Sequence, residues 1–147
     1  MTSGRLHRIG LFDHLSANRG GGQLVVARMA SALSLEYDVE FIHDGSGYTV
    51  QSLGEAFGLD MNRVRERIIP TPPTTFEVPG PIGVSEYLRS GLAYDRALTT
   101  RYDLFVFSGH SLPPICYARR GLVYQHFPIE GHPLDEFLKA RGWARGW

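Results

Sequence analysis

The chain has 147 residues, enough for one compact domain with a sizeable core. Hydrophobic residues make up 43% and charged residues 20%, as in an ordinary soluble globular protein, and 15 Lys plus Arg balance 15 Asp plus Glu. That neutrality lacks the basic excess of a nucleic-acid binder, so no nucleic-acid partner is expected, although a local basic patch stays open.

Met1 to Arg8 is polar and basic with no apolar stretch behind it, unlike a secretory signal. Leu6 to Phe12 carries Ile9, Leu11 and Phe12 and reads as a first buried strand. A loop, Asp13 to Arg19, leads to Gly20-Gly21-Gly22, which opens a helix running to about Glu36. Val25, Val26, Met29, Ala30 and Leu33 fall on one face of it at helical spacing. Tyr37 to His43 alternates as a second strand. Strand, glycine loop, helix and strand form a βαβ unit, which implies parallel pairing.

Val50 to Phe57 predicts a short helix, and Val64 to Ile69 a strand that stops at Pro70. Pro70 to Pro81 holds five of the nine prolines, so it is a loop, either substrate-facing or a packed connection. Val84 to Thr99 reads as a helix with Tyr87, Leu88, Leu92, Ala93, Tyr94 and Leu98 on a broad apolar face. Tyr102 to Phe107 is near-continuously apolar, which suits a strand covered on both faces. Leu112 to Arg120 connects it to a fifth strand, Gly121 to Phe127. The lone cysteine, Cys116, excludes an intramolecular disulfide and makes a reducing cytosol the default; it reads as a small core residue. The tail is expected to be helical from Leu134, and no run approaches the ~20 apolar residues of a membrane helix. The expectation is a cytoplasmic protein, with peripheral contact at a membrane surface left open.

Alternating strands and helices predict an α/β, Rossmann-like, doubly wound parallel sheet, whose ligands gather outside the carboxyl ends of the strands. Three segments of interest fall there. Gly20, Gly21 and Gly22 offer bare backbone at a helix start, suited to an anion such as a diphosphate, or else simply a tight turn. The dinucleotide fingerprint fails because its third glycine position holds Val25, and no Walker lysine follows. Ser108-Gly109-His110-Ser111 follows the fourth strand, and Tyr124-Gln125-His126-Phe127-Pro128 ends the fifth. Histidine suits hydrogen bonding to sugar hydroxyls or proton transfer, or is satisfied by backbone as a structural residue. His43-Asp44 before Gly45 reads mainly as a turn. No metal-ligand spacing and no nucleophile elbow occur, and no metal or cofactor is expected.

Gly20-Gly21-Gly22-Gln23, with the strand before it and the helix ending near Tyr37-Asp38-Val39, resembles the N-terminal domain of family 4 glycosyltransferases of the GT-B fold. Many members have glutamate where this chain has Gln23. Tyr102-Asp103-Leu104-Phe105, followed by Gly121-Leu122-Val123-Tyr124-Gln125-His126-Phe127-Pro128, resembles the branch containing the eukaryotic mannosyltransferase that extends lipid-linked oligosaccharides. The similarity spans about residues 6 to 130.

The resemblance implies a retaining transfer from a nucleotide sugar to a glycan or lipid-linked acceptor. It puts Gly20, Gly21 and Gly22 toward the donor diphosphate, His126 near the reacting sugar as the catalytic residue, and Ser108 and His110 on the acceptor side. It also implies a C-terminal donor domain, which supplies the basic residue and paired glutamates around the donor. Residues 1–147 are therefore expected to be an acceptor-side domain, incomplete at its C-terminal end and inactive alone. The alternative is a non-catalytic Rossmann-like module that binds a glycan or a partner protein.

Overall fold

The computed structural model describes residues 7–13, 20–45, 47–70, 84–109 and 113–126, with the helical backbone alone for 84–90. Among these residues five strands form one all-parallel sheet: β1 (Arg8–Asp13), β2 (Asp38–His43), β3 (Arg65–Ile68), β4 (Leu104–Gly109) and β5 (Arg120–Gln125). Their order across the sheet is β3-β2-β1-β4-β5. Three helices, α1 (Gly21–Leu33), α2 (Val50–Phe57) and α3 (Val84–Thr99), lie between them in sequence.

Side-chain alternation divides the strands between two cores. Ile9, Leu11, Val39, Phe41 and Val106 pack with Val26, Ala27 and Ala30 of α1 and with Val50 and Leu53 of α2. Phe12, Ile42, Phe105 and Phe107 pack on the other face with Tyr102 and with Leu98 of α3. Burial on both faces is why β4 reads as a nearly unbroken apolar run. The winding runs outward from β1 to β3, then reverses from β4 to β5. This doubly wound α/β sheet is consistent with a Rossmann-like fold. Among the described residues, no helix is long and apolar enough to cross a membrane.

Several boundaries differ from the sequence expectation. α1 ends at Leu33 rather than Glu36, because the Ser34 hydroxyl donates to the Ser31 carbonyl and the chain turns into β2. β4 begins at Leu104, because Tyr102 and Asp103 serve as anchors before the ladder. Asp103 Oδ2 accepts the N–H groups of His7 and Arg8, each at 3.0 Å, so the start of β1 is tied to the start of β4. Those two backbone donors hold the Asp103 carboxyl below its ordinary range. Cys116 is exposed, not a core residue, because it lies in the irregular connection before β5 rather than in the sheet. β5 carries Leu122, Val123 and Tyr124 exposed, unlike the apolar residues of β4 beside it. The proline-rich stretch from 71 to 81 and the tail helix expected from Leu134 lie outside the described residues.

Beneath α3 the core is polar at one point. Glu40, on β2, is buried; it accepts from Tyr102 Oη and, at 2.7 Å, from Arg8, with Arg101 at 3.3 Å. Arg67 donates to Tyr102 Oη at 2.8 Å and to the Ala97 carbonyl at the end of α3 at 2.9 Å. Burial alone would push the Glu40 carboxyl up, but hydrogen bonds from Tyr102 and Arg8, with the charges of Arg8 and Arg101, hold it below its ordinary value. Burial, then the bond to Glu40, pushes the Tyr102 phenol up to about 12. The Tyr102 ring lies flat against Gly10 of β1, where an added Cβ would meet ring carbons at 2.7–2.9 Å.

Candidate functional site

All five strands run the same way, so their carboxyl ends emerge on one edge, and the winding reverses between β1 and β4. A crevice for ligand opens at such a reversal. Here Asp13, the last residue of β1, is the register partner of Ser108, one residue before the end of β4; Ser108 is in turn the partner of Tyr124 on β5. Alternation puts Asp13, Ser108, Tyr124 and His126 on the α1 face of the sheet. Asp13 is 1% exposed and Ser108 0%.

The N-terminus of α1 approaches the same edge, and its three glycines differ in what surrounds them. Gly20 is the N-cap, and its N–H donates to Gln23 Oε1 at 3.1 Å. That is the reach-back half of a capping box, and it accounts for an amide at a position where a carboxylate would serve equally. Among the described residues, no atom lies within 4 Å of a Cβ added at Gly21. Gly22 is covered: a Cβ there would meet Cε1, Nε2 and Nδ1 of His126 at 2.7, 2.8 and 2.9 Å. Gly22 therefore has no side chain because the imidazole occupies that space.

His126 follows β5 directly and is half-buried. Its Nε2 lies 2.8 Å from Ser108 Oγ, and its ring meets Tyr124 edge-on with centroids 5.1 Å apart. The pair is not arranged for nucleophilic attack by serine. A hydroxyl with no exposed surface cannot reach a substrate carbonyl, so the bond works in the other direction, from the sheet onto the imidazole.

The structure thus brings together Gly20, Gly21, Gly22, Ser108 and His126, while His110 lies outside the described residues. His43, read as part of a turn, is buried at 3% exposure; its Nε2 meets Glu66 at 2.9 Å and its Nδ1 accepts from Gly45 N–H. The turn is nonetheless real, with Gly45 and Gly47 at φ of 90° and 112°. Sequence reasoning missed Asp13 and Gln23. The first was signalled only by ending a buried strand, the second by its place three residues after the N-cap. No Lys or Arg occurs at 13, 20–24, 43–45, 47–49, 68–70, 108–109 or 125–126, the described segments of this edge. Among the described residues, no group of three or more His, Cys, Asp or Glu could hold a metal ion. A separate open groove of about 590 Å³ lies along α2 and the turn into β3, lined by Val50, Glu55, Asp60, Met61 and Glu66 among others; neither Gly22 nor His126 lines it.

No protein-family profile, no curated protein and no solved structure matches the chain.

Proposed function

We propose that this chain is the acceptor-side domain of a retaining glycosyltransferase of the GT-B type. It would take a sugar from a nucleotide sugar to a glycan or lipid-linked hydroxyl. The observation that carries the proposal is the seating of His126 on Gly22, at the point where the sheet reverses its winding. A group that can donate or accept a proton near neutral pH is thereby held against a helix start whose N–H groups and partial positive charge favour an anion. Gly21, beside it, leaves the backbone open to close approach.

In such a transfer the bond from the anomeric carbon to the diphosphate breaks as the acceptor oxygen bonds to that carbon, and the acceptor's hydroxyl proton passes to the departing diphosphate oxygen. Negative charge grows on the leaving group and must be stabilised. The described edge carries no cationic side chain for this, only the helix start of α1. In the proposed reading a second domain across the cleft brings the positive charge and most of the nucleotide-sugar contacts. His126 would meet the reacting sugar, and the acceptor would lie along the ends of β4 and β5.

The test is sugar transfer from UDP- and GDP-sugars to polyprenyl-diphosphate or oligosaccharide acceptors. The isolated chain should give none. A two-domain enzyme assembled from this chain and a donor domain should turn over, and His126→Ala should abolish transfer while the sheet stays folded. Full transfer by His126→Ala would refute the assignment. Glycan binding without any response to nucleotide sugar would instead support a non-catalytic glycan-binding module.

A further inference from the structure

We infer that the groove along α2 and the turn into β3 is a docking site for this chain's own residues 139–147, whose cations meet its acidic rim and whose indoles meet its apolar floor. Val50, Met61 and Val64 are largely buried and form the floor, while Glu55, Asp60 and Glu66 are exposed at the rim. Among the described residues no Lys or Arg lines the groove, and Glu55 and Asp60 make no ion pair. Gly58, the left-handed cap of α2, adds no side chain, and among the described residues no atom lies within 4 Å of a Cβ built there. That leaves room for a flat ring beside the carboxylates. At about 590 Å³ the groove has the size of a ligand cleft, ~300–1,000 Å³.

Residues 139–147, Lys-Ala-Arg-Gly-Trp-Ala-Arg-Gly-Trp, lie outside the described residues. They hold three cations, no acid and both tryptophans of the chain. Ala-Arg-Gly-Trp occurs twice in succession, so large and small residues alternate without a break. In an extended chain, period two puts Lys139, Arg141, Trp143, Arg145 and Trp147 on one side, with Ala140, Gly142, Ala144 and Gly146 on the other. One side then offers guanidinium groups to the rim carboxylates and an indole to the floor. The β5 edge is nearer in sequence and exposes Leu122 and Val123, but Arg119 and Arg120 stand at its start and repel a cationic segment. Charge therefore selects the groove. Residues 127–138 span up to about 40 Å when extended. The four strand spacings from β5 to β3 cover about 19 Å, so the segment reaches the groove of its own chain. The tether makes the docking independent of protein concentration.

Because Trp143 and Trp147 are the only tryptophans, the full chain reports the contact itself through tryptophan emission, acrylamide quenching and nuclear magnetic resonance. In the wild type, emission should lie at shorter wavelength than that of a free tryptophan amide, and quenching should be several-fold weaker. An indole should show nuclear Overhauser contacts to the Met61 or Val50 methyl groups. Glu55→Lys should move emission and quenching toward the free amide, with the amide spectrum of the sheet retained. Glu55 is exposed on α2, where lysine serves a helix as well as glutamate. Arg141→Glu combined with Arg145→Glu should do the same, and it alters no residue of the sheet or helices. Salt at about 1 M, where the screening length is ~3 Å, should release the segment in part. Wild-type tryptophans quenched as freely as the amide overturn the inference. So do indole contacts to Leu122 or Val123 in place of Met61 and Val50, which need no variant to fold, and so does shielding that Glu55→Lys leaves unchanged. Shielding lost on dilution, with a particle of twice the chain's mass, would put a second copy's segment in the groove and overturn the tethered docking.

Discussion

Replacing Gly22 by alanine, beside the same change at Gly21, separates the two reasons a helix can begin with glycines. A Cβ at Gly22 would stand 2.7–2.9 Å from three ring atoms of His126. Ordinary carbon contacts are about 3.5–4.0 Å, so the imidazole must retreat by roughly 0.8 Å or more. A retreat of that size along the line from Ser108 would stretch the 2.8 Å contact to about 3.6 Å, where it is no longer a hydrogen bond. Leaving that buried hydroxyl unpaired costs about 1–3 kcal/mol. Alanine returns about 0.5–1 kcal/mol of helix preference over glycine. The net expectation is a loss of about 0–2.5 kcal/mol for Gly22→Ala. Gly21→Ala meets open space and should be neutral or stabilising by up to about 1 kcal/mol. Equilibrium urea unfolding of both variants measures the gap. Equal stabilities, or an undisturbed His126 ring signal in Gly22→Ala, would refute the packing explanation of Gly22.

Other outcomes follow from the polar cluster under α3. Glu40→Ala strands Arg8 and Arg101, but these are 28% and 42% exposed and partly solvated. The loss should therefore fall near or below the lower end of the range for a broken buried pair, about 2–3 kcal/mol, read by urea unfolding. Tyr102 has its phenol raised from 10.0 to about 12, so the fold favours the protonated form. Its contribution is complete below pH 10 and is lost as pH rises toward 12, a change of up to about 3 kcal/mol. Tyr102→Phe should flatten stability across that window in alkaline unfolding, and an unchanged slope would contradict the assignment. Glu40, held below its ordinary value, contributes stability above pH 4.5 that is lost as pH falls through its folded value. Gly10→Ala drives a Cβ into the pinned Tyr102 ring and should cost about 1–3 kcal/mol in the same unfolding assay.

The sequence carried the fold further than it carried the site. Periodicity located the buried strands and the helices α1, α2 and α3, because apolar runs and i, i+3, i+4 spacing are local signals. It could not show that Glu40, which alternation makes a surface position, is enclosed by Tyr102 and three arginines that lie elsewhere in the chain. Cys116 looked like a small core residue by type, yet its place in an irregular connection exposes it. At the site, parallel topology was enough to put Gly20–Gly22 and His126 on one edge. That the histidine fills the space over Gly22, and that Ser108 holds it there, depend on register between strands distant in sequence. No local pattern encodes that register. Gln23 was legible in principle, since an amide three residues after an N-cap is a capping-box signal.

The central claim, that the edge formed by α1 and His126 meets a nucleotide sugar, is tested most directly by titrating the labelled chain with UDP- and GDP-sugars. Amide shifts are followed at every residue. The account predicts that the largest changes gather at Gly20, Gly21, Gly22, Gln23 and His126. Changes gathered instead along the groove lined by Val50, Glu55 and Glu66, or none at saturating sugar nucleotide, would contradict it.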